Sequence, residues 1–272
     1  MRIALGLEYD GAAFTGWQTQ PDGRAVQDAL ERGLAAIAVR PTPTICAGRT
    51  DTGVHALDQV VHFDTDAERP LNAWVRGVNR YLPHAMAVRW AREVPDVFHA
   101  RFSAVRRTYD YWILNDPVRS PLAYARTGWA FRPLDATVMH EAAAQLVGRH
   151  DFTSFRSAEC QAASPVRNLV ELSVARRGRL IRVRASANAF LHHMIRNIVG
   201  TLVYVGLGRR GPGWATEVLE ARDRTHAAPT FSPAGLYLVR VEYDPSFQLP
   251  APSAPMPAWL DAYPDQDLRT DP

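Results

Sequence analysis

The chain contains no lysine: all 31 residues counted as Lys and Arg are arginine. That absence removes the phosphate-gripping Gly-rich loop that ends in Lys followed by Ser or Thr, and no such spacing occurs. Cysteine is nearly absent too. Cys46 and Cys160 stand alone, without a CxxC or zinc-ligand spacing, which points to a reduced, cytoplasmic setting. No long hydrophobic run exists. The longest, IVGTLVYVGLG from Ile198, falls short of the roughly 20 residues a bilayer crossing needs. The N-terminus reaches Glu8 before an apolar signal segment can form, so a secretory leader is not expected. There is no GxSxG elbow and no HExxH, and neither thiol has a neighbouring histidine in sequence. Nucleophilic Ser or Cys chemistry therefore lacks support.

What remains is an ordinary globular composition of 272 residues, 47% hydrophobic, enough for one large core or two medium ones. Residues 251–272 carry four aspartates against Arg269, a net of −3, so the +3 total becomes +6 on residues 1–250. Every cation is a guanidinium, which forks onto phosphate and stacks on bases, and the balance suits a nucleic-acid partner.

Periodicity sets out the elements. Ile3, Leu5, Leu7 and Tyr9 alternate as a strand, and Val26, Leu30, Leu34 and Ile37 recur at helical spacing until the PTP at 41–43. Strands are expected near 44–47 and 58–64, a helix near 71–82 and a strand near 86–93. The second half repeats this order. It has a strand at 106–115, a helix from Asp135 to Val147, a hairpin at 167–175 and 180–187, a helix from Phe190 to Leu207, a short helix at 214–222 and a strand at 235–243. Two successive β-α-β-β-α-β units predict an α+β fold of two tandem ferredoxin-like halves, residues 1–103 and 104–250. The Pro-rich, acidic stretch 251–272 reads as an irregular tail.

The densest chemistry lies in AGRTDTGVHA at 47–56, between the two middle strands of the first half, where the second half has only RRGR. Gly48 and Gly53 permit positive φ or close approach. An aspartate beside an arginine is suited to act as a charged nucleophile or stabiliser. A polar turn with an Asx bond explains the same residues equally well. Asp51 and His55 are conceivable metal ligands with His192 and His193. Adjacent histidines on one helix diverge by about 100°, however, and no metal site is expected. FHARF at 98–102 interleaves rings with His99 and Arg101, suited to phosphate and base contact, although a half-buried strand would look alike. GLGRRGPG at 206–213 follows a helix and reads as a C-terminal stop. Arg196 sits in an apolar helix, where it either snorkels outward or needs an anion.

Six stretches in order resemble the tRNA pseudouridine synthase A family: AGRTDTGVHA (47–56), VPDVFHARFSA (94–104), Tyr109 in RRTYDY, DFTSF (151–155), ANAFLHHMIRNIVG (187–200) and GLYLV (235–239). The resemblance spans roughly residues 2–250. It implies two ferredoxin-like halves with a joined, mainly antiparallel sheet around a central RNA-binding cleft, in a homodimer that binds tRNA. It implies isomerisation of uridine to pseudouridine at positions 38–40 of the anticodon stem-loop, without cofactor or metal. Asp51 would be the nucleophile, Arg49 would hold the flipped nucleotide, Tyr109 would stack on the uracil and Arg196 would pair with Asp51. Leu236 would close the pocket, and Phe98, His99, Ala100, Arg101 and Phe102 would contact RNA. Thr52 departs from the alanine common there, the tail has no family counterpart, and His55 has no assigned task. A non-catalytic RNA-binding protein or tRNA chaperone on the same fold, or a nuclease using Asp51 and His55 with a metal, are the competing expectations.

Overall fold

The computed structural model describes residues 1–250; the tail expected at 251–272 lies outside the described residues. The chain divides into two compact units. One comprises Met1–Arg107 with the described chain from Tyr237 onward, and the other Thr108–Leu236.

In the first unit, β1 (Arg2–Tyr9) runs antiparallel between β3 (His55–Asp64) and β4 (Met86–Val94). Its central position buries both faces, so Ala4 and Gly6 are inside along with the alternating Ile3, Leu5 and Leu7. Gly6 faces Trp90 across the ladder, and a Cβ at Gly6 would stand inside the indole. The other edge of β3 is shared. The two-residue β2 (Ile45–Cys46) pairs with Val61 and His62, and β10 (Leu236–Tyr243) runs parallel beside His55 and Ala56. The helix α1 (Val26–Ala38) buries Val26, Ala29, Leu30, Gly33, Leu34 and Ala38, the stripe its spacing predicts. Asp28 Oδ2 accepts the Ala25 N–H at its start, and Val39 in the left-handed region ends it ahead of Pro41. The helix expected near 71–82 is shorter, helical over 71–79, and contains a π-turn at Ala73–Gly77. Within that turn Trp74 is fully buried against Phe63, with ring centroids 5.1 Å apart.

The chain enters the second unit along β5 (Ala104–Asn115). The hairpin of β8 (Val166–Arg177) and β9 (Leu180–Ala187) turns at Gly178–Arg179, with Val174 facing Val183. The short β7 (Gly148–Asp151) is antiparallel to β8, and β6 (Gly128–Ala130) is parallel to β5; the sequence pattern announced neither. α2 (Ala136–Ala144) starts at Asp135, whose carboxylate accepts the Thr137 and Val138 N–H groups, and packs on β8 and on α3 (Met194–Gly206). α4 (Trp214–Ala221) follows. The helix expected from Phe190 begins four residues later, at Met194. His193 takes φ 62°, so 190–193 form a turn that a helical projection cannot describe. Asp110, fully buried on β5, accepts a two-pronged guanidinium from Arg184 on β9 at 2.7 and 2.8 Å. Among the described residues no helix is long and apolar enough to cross a membrane.

Candidate functional site

Residues 47–54 form the connection from β2 to β3, and the first unit holds them from several sides. Thr50 is buried; its hydroxyl lies 2.8 Å from the Tyr9 hydroxyl, and its carbonyl accepts the Trp17 N–H at 2.9 Å. Gln59, fully buried on β3, donates its amide to the Gly48 carbonyl at 2.6 Å. Gly53 adopts φ +79°, and the Val54 N–H closes a turn onto the Asp51 carbonyl at 3.1 Å. Gly48 has no positive φ, so of the two motif glycines only Gly53 uses that freedom. The connection from β1 to α1 presses close: a Cβ on Gly16 would stand 3.1 Å from the Thr50 carbonyl oxygen and from the Thr52 nitrogen. This network fixes the backbone on both sides of Asp51. Asp51 is half-buried and Arg49 exposed.

His55 opens β3, 3% exposed. Its Nδ1 accepts the Gly11 N–H at 3.1 Å, and its ring stacks on Tyr237 at 4.5 Å. The Asp10 carboxylate is also 3.1 Å from Nδ1. An N–H aimed at that nitrogen makes it an acceptor, so the Asp10 contact is proximity and not a second hydrogen bond. His55 thus ties three strand ends together, a task the sequence left unassigned.

FHARF is neither a strand nor a uniform face; residues 98–102 form a turn between β4 and β5. Phe98 and Ala100 are fully buried and face the core, whereas Phe102 is 75% exposed. His99 stacks on Phe102 at 4.3 Å, and the Arg101 guanidinium lies 5.4 Å from the same ring. The outward face is therefore His99, Arg101 and Phe102. The turn is strapped down by the Tyr243 hydroxyl, which donates to the Ala100 carbonyl at 2.7 Å, and by His62, whose Nδ1 accepts the Ala100 N–H at 3.1 Å. Burial, with help from the Arg2 and His99 charges, brings the His62 pKa down to about 4. Burial likewise pushes the Cys46 thiol up to about 12, an inert side chain at the loop's edge.

The buried Arg107 links loop and turn. It donates to the carbonyls of Ala47 at 2.9 Å, Arg101 at 2.6 Å and Ala104 at 3.0 Å. Arg107, Gln59 and His62 carry no mark of these tasks in the sequence, because each looks like an ordinary strand residue until its distant partner is known. The pairing of two arginines before Tyr109 was the one available signal.

In the second unit, Tyr109 on β5 is 7% exposed and meets Phe190 edge-on at 5.2 Å. Arg196 is half-exposed in the first turn of α3, where its Nε donates to the Phe231 carbonyl at 2.9 Å. Asn197 beside it is fully buried and donates to the Phe155 carbonyl at 2.7 Å, which explains why DFTSF and HMIRN go together. Leu236 is buried at the start of β10. His192 and His193 lie in the turn before α3 with ring centroids 4.0 Å apart. The divergence argued from a helix does not apply to them.

Residues 7–103 and 142–244 match the family described as tRNA pseudouridine synthase, and the chain belongs to that family of isomerases. Among its relatives it is 55% identical to tRNA pseudouridine synthase A of Paraburkholderia phymatum, over 97% of this chain and 99% of that one. It is 56% identical to the proteins of the same name from Burkholderia mallei and Burkholderia thailandensis, over 99% of this chain and 100% of each of theirs.

Proposed function

We propose that the protein converts uridine to pseudouridine at positions 38–40 of the tRNA anticodon stem-loop, with Asp51 as the nucleophile. The observation that carries this reading is Asp51 itself: a half-buried carboxylate in a loop braced by Tyr9, Gln59 and Arg107, within the stretch that matches the family. In the reaction the C1′–N1 bond breaks, the base turns over and C1′ joins C5; the C5 proton leaves to solvent and N1 takes up a proton, so the base is isomerised with no oxidant or reductant needed. The target base must leave its stack, at a cost of a few kcal/mol. Arg49, exposed beside Asp51, is suited to hold the extruded nucleotide by its phosphate. Tyr109 offers a ring to the uracil, Leu236 an apolar wall, and Arg196 an opposite charge to pair with Asp51. Of the 98–102 turn, Arg101, Phe102 and the edge of His99 are the groups that meet RNA; buried Phe98 and Ala100 shape it. Two ferredoxin-like halves with a continuous sheet around a cleft, and a homodimer sharing one tRNA, belong to the same proposal.

Asp51→Asn tests it. The variant should release no tritium from tRNA carrying C5-labelled uridine while binding tRNA within a few-fold of the parent protein. Release at the parent rate would remove Asp51 from the chemistry. Mapping pseudouridine along treated tRNA checks the positions, and product elsewhere in the molecule would overturn 38–40.

A further inference from the structure

The GLGRRGPG stretch does more than end a helix. α3 closes with a Schellman pair: Gly208, at φ +68°, donates to the Val205 carbonyl at 2.8 Å, and Arg209 donates to the Tyr204 carbonyl at 3.1 Å. That geometry sets Arg209 over Tyr204, where a hydrophobic contact is usual. The Arg209 guanidinium lies 5.1 Å from the Tyr204 ring, and Tyr204 stacks on Trp214 of α4 at 5.9 Å and 29°. The Arg210 guanidinium lies 5.3 Å from the Trp214 ring. Both arginines are exposed, and among the described residues neither side chain has a hydrogen bond or an ion pair. Glu217, in the first turn of α4, pairs with neither. No heavy atom lies within 4 Å of where a Cβ would stand on Gly208, Gly211 or Gly213, so the turn is bare surface.

We infer that Arg209 and Arg210, each held on a ring, form a second RNA-contact site that grips the ribose-phosphate backbone of the tRNA away from the target nucleotide. Attraction of a cation to the helix C-terminus accounts for the sign of one charge, but not for two arginines each set on its own ring. A guanidinium lying on a ring keeps its N–H edge outward, which suits phosphate oxygens, and its orientation entropy is already spent. The inference rests on tRNA being the substrate.

The test compares the full-length protein with Arg209→Gln/Arg210→Gln, titrating an unmodified tRNA transcript across a salt series. Two lost phosphate contacts should reduce the slope of log K against log salt by about 1.5 and weaken binding roughly tenfold near 0.15 M salt. The single-turnover rate at saturating tRNA should be unchanged. Arg209→Lys/Arg210→Lys should keep the slope, which a purely structural role for the arginines would not predict. Unchanged slope and affinity in the Gln variant overturn the site, as does a lowered saturating rate with binding intact. Inorganic phosphate at 10 mM (~, matched ionic strength) should leave parent affinity unchanged; competition seen only in the parent protein would assign the site to free phosphate and overturn the backbone assignment. A parent protein that binds tRNA and makes no pseudouridine would refute the proposed function and leave the slope comparison readable.

Discussion

Replacing Arg107 by methionine removes the cation that ties the Asp51 loop to the 98–102 turn and leaves a shorter, unbranched apolar side chain in its place. Its three carbonyl contacts, at 2.6 to 3.0 Å, are charge-assisted, and the side chain is buried. Such bonds contribute roughly 1.5–3 kcal/mol each, and carbonyls left unsatisfied cost about 1–3 kcal/mol. The relief of burying one fewer charge offsets part of that. A net loss of about 3 kcal/mol follows, which lowers the melting temperature by roughly 6–12 °C for a chain of this size. Arg107→Lys keeps the charge but reaches fewer carbonyls and should fall in between. Scanning calorimetry reads the stability, and single-turnover pseudouridine formation well below the melting temperature reads the loop. Activity should drop at least tenfold in the methionine variant even where the protein is fully folded, because Ala47 anchors the start of the loop. A melting temperature within 1 °C (~) of the parent, with full activity, would refute the clamp.

His62 gives a pH test. Its folded pKa, about 4, lies below the 6.5 of a histidine in an unfolded chain, so the folded state disfavours the proton. Stability from this group is complete above the unfolded value, falls as pH drops from there towards 4, and is lost below. His62→Gln keeps an acceptor for the Ala100 N–H without titrating, and its melting temperature should fall less over that window; parallel curves would remove His62 as the cause. Arg101→Ala and Phe102→Ala lie on the exposed face of the turn. Each should leave the melting temperature within about 2 °C while weakening tRNA binding, and only Arg101→Ala should flatten the salt dependence. Gly16→Ala forces a side chain onto φ +93° against the Thr50 carbonyl. It should cost on the order of 1–3 kcal/mol and reduce activity more than tRNA binding, as chemical denaturation and single-turnover assays would report.

Residues whose partners are close in sequence were legible. α1 follows from Val26, Leu30 and Leu34, the hairpin of β8 and β9 from its turn, the start of α2 from Asp135, and the helix stop at Gly208 from its glycine. Each depends on rules that act within a few residues. The order of motifs around Asp51 was equally local, and with it the family. The turn at 190–193 was misread as helix because its apolar residues extend the period of α3, while the left-handed His193 leaves no mark in composition.

The short strands β6 and β7 carry too few residues to show a period; only their neighbours β5 and β8 make them strands. FHARF alternates like a strand, yet the core takes Phe98 and leaves Phe102 in water, a sorting that needs His62 and Tyr243 in place. His55 acquired its task from Gly11, 44 residues away, and Arg107 from Ala47, 60 residues away. The sequence by itself pointed to the family and to Asp51 as the candidate carboxylate, and to those elements whose signals lie within a few contiguous residues. Which side chains hold that carboxylate's loop still was decided by the tertiary structure alone, because a hydrogen bond between distant residues exists only once the fold has brought donor and acceptor within about 3 Å.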